Sequence, residues 1–564
     1  MKTGAKAVGQ ILAGGVLVTS ATLNAGPSTL LGEVRFDHAG GFCQAGFTLG
    51  LSASAEPAAI YYTTNGEDPQ PGRAIRYVHP LVIDSTTIMR VAAFDLQTNL
   101  VGTGARTFLF ANDIVKQTGE RFPKTWGTDE GQPVAADYGL TVSNERDAAA
   151  RQKVVAGLQS LAAVCLIANP ADLFSAETGI YTHPTERGGD WERPVWLELY
   201  EGGGQSPACL GPCGLRIHGG TSRQPKTSPK HSFRLNFKKR HGSGPWQFPV
   251  FGPGGPQKFD DLILRAGNND SWLSSRAGER RQANYLRDEW MRRSQLAMQH
   301  PSAHGRFVQL YLNGLYWGVY NLCERPGPGL FARNPAATTE FDVRKGAKTE
   351  AGDDSAWNQL MALANAGVSD DRHYAEISRW LDLDEFADYM ILNLYAGNSD
   401  WDRSANWYAI RPRTNGGRFQ FLVWDGEGTL GKTEADTLDQ DDDESPLRLF
   451  HKLSENAEFR RLFGARARQL LFNAGPLTPE KSAARFRELA DSVVAAMSAE
   501  AARWGDYRRA EPSADTGPAG NDFVTQQWQP EVHRILDQYF PQRRNLVVEQ
   551  FRKRGLYDAA DQPQ

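Results

Sequence analysis

The residues in this chain best suited to chemistry lie in two short runs, Asn398-Ser-Asp-Trp-Asp-Arg-Ser-Ala-Asn-Trp-Tyr-Ala-Ile410 and Phe419-Gln-Phe-Leu-Val-Trp-Asp-Gly-Glu427. Asp400, Asp402, Asn406, Asp425 and Glu427 offer only oxygen donors. That is the donor type Mg²⁺ takes, and it accepts one or two protein carboxylates beside phosphate and water. A further carboxylate near such a metal could accept the proton of an attacking hydroxyl. The bland alternative is a solvated acidic hairpin edge. Trp401, Trp407 and Trp424, interleaved with the acids, argue against it. The run Asp441 to Glu444 has no such aromatics and reads as an exposed loop.

A hairpin must position these groups. The extended runs Asn406 to Ile410 and Arg418 to Val423 flank Thr414-Asn-Gly-Gly417, and alternation beside an Asn-Gly turn predicts two antiparallel strands. Pairing about that turn sets Asn406 at the entrance opposite Asp425 or Glu427 at the exit. Asp400 and Asp402 lie just upstream, on the same side of an extended segment, so either could be the base.

A second element is Gly219-Gly-Thr-Ser-Arg-Gln-Pro-Lys-Thr-Ser-Pro-Lys230, between predicted strands Gly214 to Ile217 and Ser232 to Phe237. Gly219 and Gly220 permit close approach of backbone N–H groups to phosphate, and Lys226 and Lys230 could neutralise its charge. Taken alone, the motif is a weak signal, and an ordinary hairpin loop with solvated lysines explains it better. Arg265-Ala-Gly-Asn-Asn-Asp270 is a strand end entering a polar turn, with Asp270 either a ligand or an Asx-type turn residue.

At 564 residues the chain is too long for one hydrophobic core. A net charge of −4 gives no general reason to bind nucleic acid or anionic lipid. Lys2 and Lys6, an apolar run from Ala7 to Leu23 and Asn24-Ala25-Gly26 read as a signal peptide over 1–25, cleaved near Ala25. They predict a secreted or cell-envelope protein with no membrane span after cleavage. Residues 33–111 read as an all-β sandwich of short strands, with a core of its own that would let the later residues work without it. Residues 112–160 read as a connector with a helix from Asn144 to Leu161, and 161–555 as an α+β domain with a helical C-terminal part. There, Phe307 to Leu312 and Trp317 to Leu322 form a hairpin about Asn313-Gly314, and Asp382 to Tyr395 a helix. Thr478 caps another, whose stripe from Phe486 to Met497 is core packing. Five cysteines leave at least one unpaired within the chain. Cys209 and Cys213, read as lying in a loop, could close a small disulfide in an oxidising compartment, and no second Cys/His pair supports zinc.

Taken in order, several segments resemble the secreted kinase family named after the spore-coat protein CotH. They are Thr178-Gly-Ile-Tyr181, Trp191-Glu-Arg-Pro194, Arg216-Ile-His-Gly-Gly-Thr-Ser-Arg223, Pro229-Lys-His-Ser-Phe-Arg234, Leu264-Arg-Ala-Gly-Asn-Asn-Asp270, Tyr311-Leu-Asn-Gly-Leu-Tyr-Trp-Gly-Val-Tyr320, the Asp400 segment and Val423-Trp-Asp425. The resemblance implies an atypical protein-kinase-like fold and phosphoryl transfer from ATP, with Mg²⁺ or Mn²⁺, to hydroxyls of a protein substrate, an envelope or surface protein among the candidates. It implies Lys230 on ATP phosphates, Asp425 and Asn406 on metal, and Asp400, in the family's Asp-Trp form, as the catalytic base. Glu427 stands where many members carry a second Asp. Ile60-Tyr-Tyr-Thr-Thr-Asn-Gly-Glu-Asp-Pro69 with Thr87-Ile-Met-Arg-Val-Ala-Ala-Phe94 resembles the β-sandwich module at the C-terminus of chitobiases. That implies carbohydrate contact, with Tyr61 and Tyr62 as a sugar platform or simply as alternating strand residues. Two rival readings are a non-catalytic surface or carbohydrate-binding protein on a kinase-like scaffold, and a glycoside hydrolase with two carboxylates ~5–10 Å apart.

Overall fold

The computed structural model describes residues 32–53, 59–142, 148–204, 206–242, 244–331, 340–401, 405–510 and 522–558. The segment expected to be a signal peptide, residues 1–25, and Asp402 lie outside these residues. The first unit is a sandwich. Gly32–Phe36, Leu51–Ala53, Ala59–Thr63, Thr87–Phe94 and Leu100–Leu109 belong to one sheet, and Phe47–Leu49 pairs with Leu81–Ile83 as a smaller one. Alternation along these strands buries Val34, Leu49, Met89, Val91 and Phe108 together. Tyr61 and Tyr62 are neighbours on one strand and so point to opposite faces. Tyr62 packs on this core, and the Tyr61 ring meets Phe94 edge-on at 5.9 Å.

The second unit begins at Ala162–Ala168, a strand buried at every residue. It pairs antiparallel with Arg193–Tyr200 and parallel with Gly305–Leu312. That double pairing closes seven strands of the described residues into a barrel, with Pro207–His218, Ser232–Asn236, Asp261–Arg265 and Leu315–Glu324 completing the ring. Leu166, Leu197, Leu215, Phe233, Leu310 and Trp317 fill it. The hairpin expected about Asn313-Gly314 is present. Both turn residues have positive φ, 49° and 80°, as a two-residue turn between twisted strands requires.

One sequence expectation fails here. Pro207 to Gly214 is not a loop but the greater part of the strand Pro207–His218. Cys209 and Cys213 are both buried and free. Four residues of extended chain separate them by about 13 Å, beyond the reach of a disulfide.

Outside the barrel, Phe341–Lys345, Lys348–Ala351, Trp407–Pro412 and Gln420–Val423 form a four-stranded sheet. Val343, Tyr408, Leu422 and Trp424 from this sheet and its exit pack on Ile263 and Cys323 of the barrel. The helix Leu383–Ala396 lies against the sheet, and Pro446–Ser454, Ala457–Leu471, Pro479–Trp504 and Phe540–Lys553 build the C-terminal part. Thr478 caps the longest helix, with Pro479 in its first turn. Phe486, Leu489, Val493 and Met497 are buried as its stripe predicts. No helix among the described residues is long and apolar enough to cross a membrane.

The sandwich is seated on the barrel. Phe42 and Leu109 share one apolar cluster with Cys165, Tyr200 and Tyr311, and Ile88 and Ala105 share another with Ile167. Glu198 lies at this junction. It accepts a hydrogen bond from Tyr200 Oη (2.9 Å) and stands 3.9 Å from Arg106 of the sandwich. Burial raises its pKa from the ordinary 4.5 to about 7, with Arg106 opposing. The folded chain therefore binds more protons than the unfolded chain across that interval, and stability falls as pH climbs through it. Glu198→Gln removes this slope. The thermal midpoint of the variant relative to wild type should rise between about pH 5 and about pH 8; scanning unfolding at both pH values checks it, and a constant difference refutes it.

Candidate active site

The exterior hairpin ends with Trp407 opposite Val423. Asn406 and Asp425 sit just beyond the ladder on either strand, and both have left-handed backbone, φ 70° and 56°. Asn and Asp tolerate that region better than other non-glycine residues, and such backbone strain concentrates at functional sites. It turns both chains out of the sheet at its open end. Asn406 Nδ2 donates to the Asp400 carbonyl (2.6 Å). The amide oxygen, its harder donor, has no hydrogen-bond donor among the described residues. Ser399 N donates to Gly428 O (3.0 Å), and a Cβ on Gly428 would stand 3.3 Å from Asp400 Cβ. The strap between residues 399 and 428 brings Asp400 to the exit of the hairpin.

These groups face an open cleft of about 730 Å³. Gly219, Gly220, Asp400, Asn406, Asp425 and Glu427 all line it. Gly219 has φ 122°, and a side chain there would strike Ser222 Oγ. The turn Thr221–Arg223 folds back on it, with Arg223 donating to Gly219 O (2.9 Å).

Arg265, at the end of its barrel strand, occupies the middle of the acids. It reaches Asp425 at 2.6 Å, Glu427 at 2.8 Å and Asp288 at 3.2 Å, and its guanidinium lies 4.8 Å from the centre of the Trp424 ring. Asp288 in turn accepts from Gly426 N (2.9 Å) and bonds Arg292, fixing the turn after Asp425. Glu427 also accepts from Asn269 N (2.9 Å). Burial pushes the Glu427 carboxyl up to about 7, with Asp425 and Asp288 adding and Arg265 opposing. Among the described residues no three His, Cys, Asp or Glu side chains form a ready-made metal cage. The oxygen donors of Asn406, Asp425 and Glu427 suit a hard divalent cation that keeps water and phosphate as its other ligands.

The two lysines chosen from sequence do not line the cleft. Lys226 is exposed and paired with Glu130 of the connector. Lys230 is buried. Its Nζ donates to Glu500 Oε1 (2.6 Å) and Val319 O (2.7 Å), with the Tyr320 ring 4.7 Å away. Burial lowers its pKa and Glu500 opposes that shift. A buried ammonium requires a counterion, and Glu500 on the long helix Pro479–Trp504 is that partner. Gly318, at φ 120°, leaves the room: a Cβ there would come within 2.5 Å of Glu500 Oε2 and 3.0 Å of Lys230 Cε. Asp270 is likewise structural, taking hydrogen bonds from Asn284 N (2.8 Å) and Arg287 N (3.2 Å) and pairing with the Arg287 guanidinium.

Sequence reasoning assigned no role to Arg265, Asp288, Lys345 and Glu500. Lys345 lines the cleft from the strand beside Trp407–Pro412, its backbone opposite Tyr408. Of the four, Arg265 alone had a local signal, a charge ending an apolar run.

Two outcomes follow. Lys230→Met and Glu500→Gln each leave a charge buried without its partner, which costs ~3–5 kcal/mol; denaturant unfolding should show that loss, and a change below ~1 kcal/mol would contradict a structural pair. Asp425→Ala should keep the fold, because Arg265 retains Asp288 and Glu427; circular dichroism and thermal unfolding check this, and loss of the cooperative transition refutes it.

Comparison with known proteins agrees with this architecture. The model of the chitobiase/beta-hexosaminidase C-terminal domain matches residues 38–103, within the sandwich. The model described as CotH kinase protein matches residues 215–547, from the third barrel strand to the last helix. A search of curated proteins found no match. Because the second model spans more than half of the chain and contains every cleft residue described above, the chain belongs to the CotH kinase family.

Proposed function

We propose that this chain is an exported protein kinase that transfers phosphate from Mg-ATP to a protein hydroxyl. The observation that carries the reading is the convergence of Asp400, Asn406, Asp425 and Glu427 in one cleft with the Gly219-Gly220 loop. Asn406, Asp425 and Glu427 would hold Mg²⁺ or Mn²⁺, which when bound with nucleotide neutralises charge on the phosphoryl oxygens. The backbone at Gly219 and Gly220 can approach the phosphates closely. Asp400 accepts the proton of the substrate hydroxyl as the new O–P bond forms and the bridging bond to ADP breaks. Export rests on the N-terminal segment's composition. The sandwich would serve attachment or carbohydrate contact, and the protein substrate would come from the cell surface or envelope.

A scaffold reading has one specific observation in its favour. Arg265 already neutralises Asp425 and Glu427, so the acid cluster is electrostatically satisfied without a metal. Mg²⁺-dependent nucleotide binding by the wild type separates the two readings.

Asp400→Asn should keep ATP affinity and lower single-turnover transfer by a factor on the order of 10²–10⁴, the contribution of a positioned acid–base group. Asp402→Asn should lose much less. The reverse ranking moves the base to Asp402, and equal wild-type rates in both variants would remove the carboxylates from proton transfer.

A further inference from the structure

Four lysine and arginine side chains among the described residues line the cleft: Arg265, Arg276, Arg287 and Lys345. Three have carboxylate partners. Arg265 holds Asp288, Asp425 and Glu427; Arg276 meets Glu279 at 2.9 Å; Arg287 pairs with Asp270 and with Glu531 at 2.7 Å. Lys345 is different. It is half-buried and makes no ion pair or hydrogen bond among the described residues, only a contact of its ammonium with the Tyr408 ring at 5.6 Å. Partial burial of an ammonium without a carboxylate beside it is unfavourable, and an arriving anion would relieve it.

Its position is fixed. Lys345 ends the strand Phe341–Lys345 opposite Tyr408, and Gly346 N donates to Trp407 O (3.1 Å). That places it at the open end of the sheet, where the chain also supplies Asn406. We infer that Lys345, and not Lys226 or Lys230, is the side chain that binds the phosphates of the nucleotide in this cleft. The inference rests on the phosphoryl-transfer reading and names its phosphate contact.

A second cleft residue senses the same ammonium. His218, the residue before Gly219, also lines the cleft. Desolvation, with Lys345, Arg265, Arg325 and Arg234 around it, holds its pKa well below the usual histidine range. Desolvation lowers the Lys345 pKa as well, Asp425 and Glu350 opposing. Arg265, Arg325 and Arg234 are each paired with a carboxylate, so Lys345 is the one of these four cations without an ion pair among the described residues.

Calorimetric titration of the full chain with Mg²⁺ and a non-hydrolysable ATP analogue tests this. Lys345→Met should weaken binding roughly 10- to 100-fold, the effect of losing a charge-assisted hydrogen bond. Lys345→Arg should recover part of the loss, and Lys226→Met should bind as wild type does. Adenosine affinity should be the same in wild type and Lys345→Met, because adenosine carries no phosphate. Lys345→Gln guards against a folding defect: weakened binding with a wild-type thermal midpoint supports the assignment. Wild-type affinity for the analogue in Lys345→Met or Lys345→Gln would overturn it while leaving phosphoryl transfer standing. A wild-type chain that binds no nucleotide would overturn both.

Discussion

The site is organised around one guanidinium. Arg265 ends a barrel strand and meets three carboxylates from elsewhere in the chain, Asp288 on the helix Arg287–Ala297 and Asp425 and Glu427 after the exterior hairpin. Three acids gathered this closely would repel one another without it. With it, barrel, helix and hairpin are held in a single register. The rigid planar fork of arginine suits this better than a lysine point charge would. Removing Arg265 would therefore disturb the position of the proposed metal ligands as well as their charge.

Two β-systems divide the work. The closed barrel supplies the Gly219-Gly220 loop and Arg265, and the exterior sheet supplies Lys345, Asn406 and Asp425. Trp424 packs in the seam between them, against barrel residues and under the Arg265 guanidinium. The cleft opens where these two structures diverge. Its lining is therefore assembled from segments as far apart in the chain as Gly219 and Glu427, each placed by its own sheet.

What sequence made legible was local. The Asn313-Gly314 turn, the hairpin beside Asn415-Gly416, the Thr478 cap and the stripe from Phe486 depend on neighbouring residues, and the structure has all of them. The oxygen donors at the hairpin end were legible for the same reason, since the turn sets their approach. Barrel closure was not, because a buried apolar run such as Ala162–Ala168 is compatible with open and closed sheets alike. Lys230 looked like a phosphate ligand because its loop is basic and glycine-bearing; its partner Glu500 lies in an alanine-rich helix with no mark of the pairing. Cys209 and Cys213 looked like loop cysteines because Gly and Pro surround them, yet the strand runs straight through.

The Lys230–Glu500 contact also bears on the order of folding. It joins residues 270 positions apart, and the helix bearing Glu500 follows every barrel strand in the chain. Until that helix docks, the barrel holds an ammonium with no counterion and a gap at Gly318. N-terminal segments generally fold first as a chain emerges, but contacts of such separation form late. Completion of the barrel therefore waits on a helix that comes well after its last strand. A chain truncated before the long helix would lack the partner of Lys230 and leave the barrel unfilled at Gly318. That delay leaves the barrel pliable until the long helix has been made and has docked.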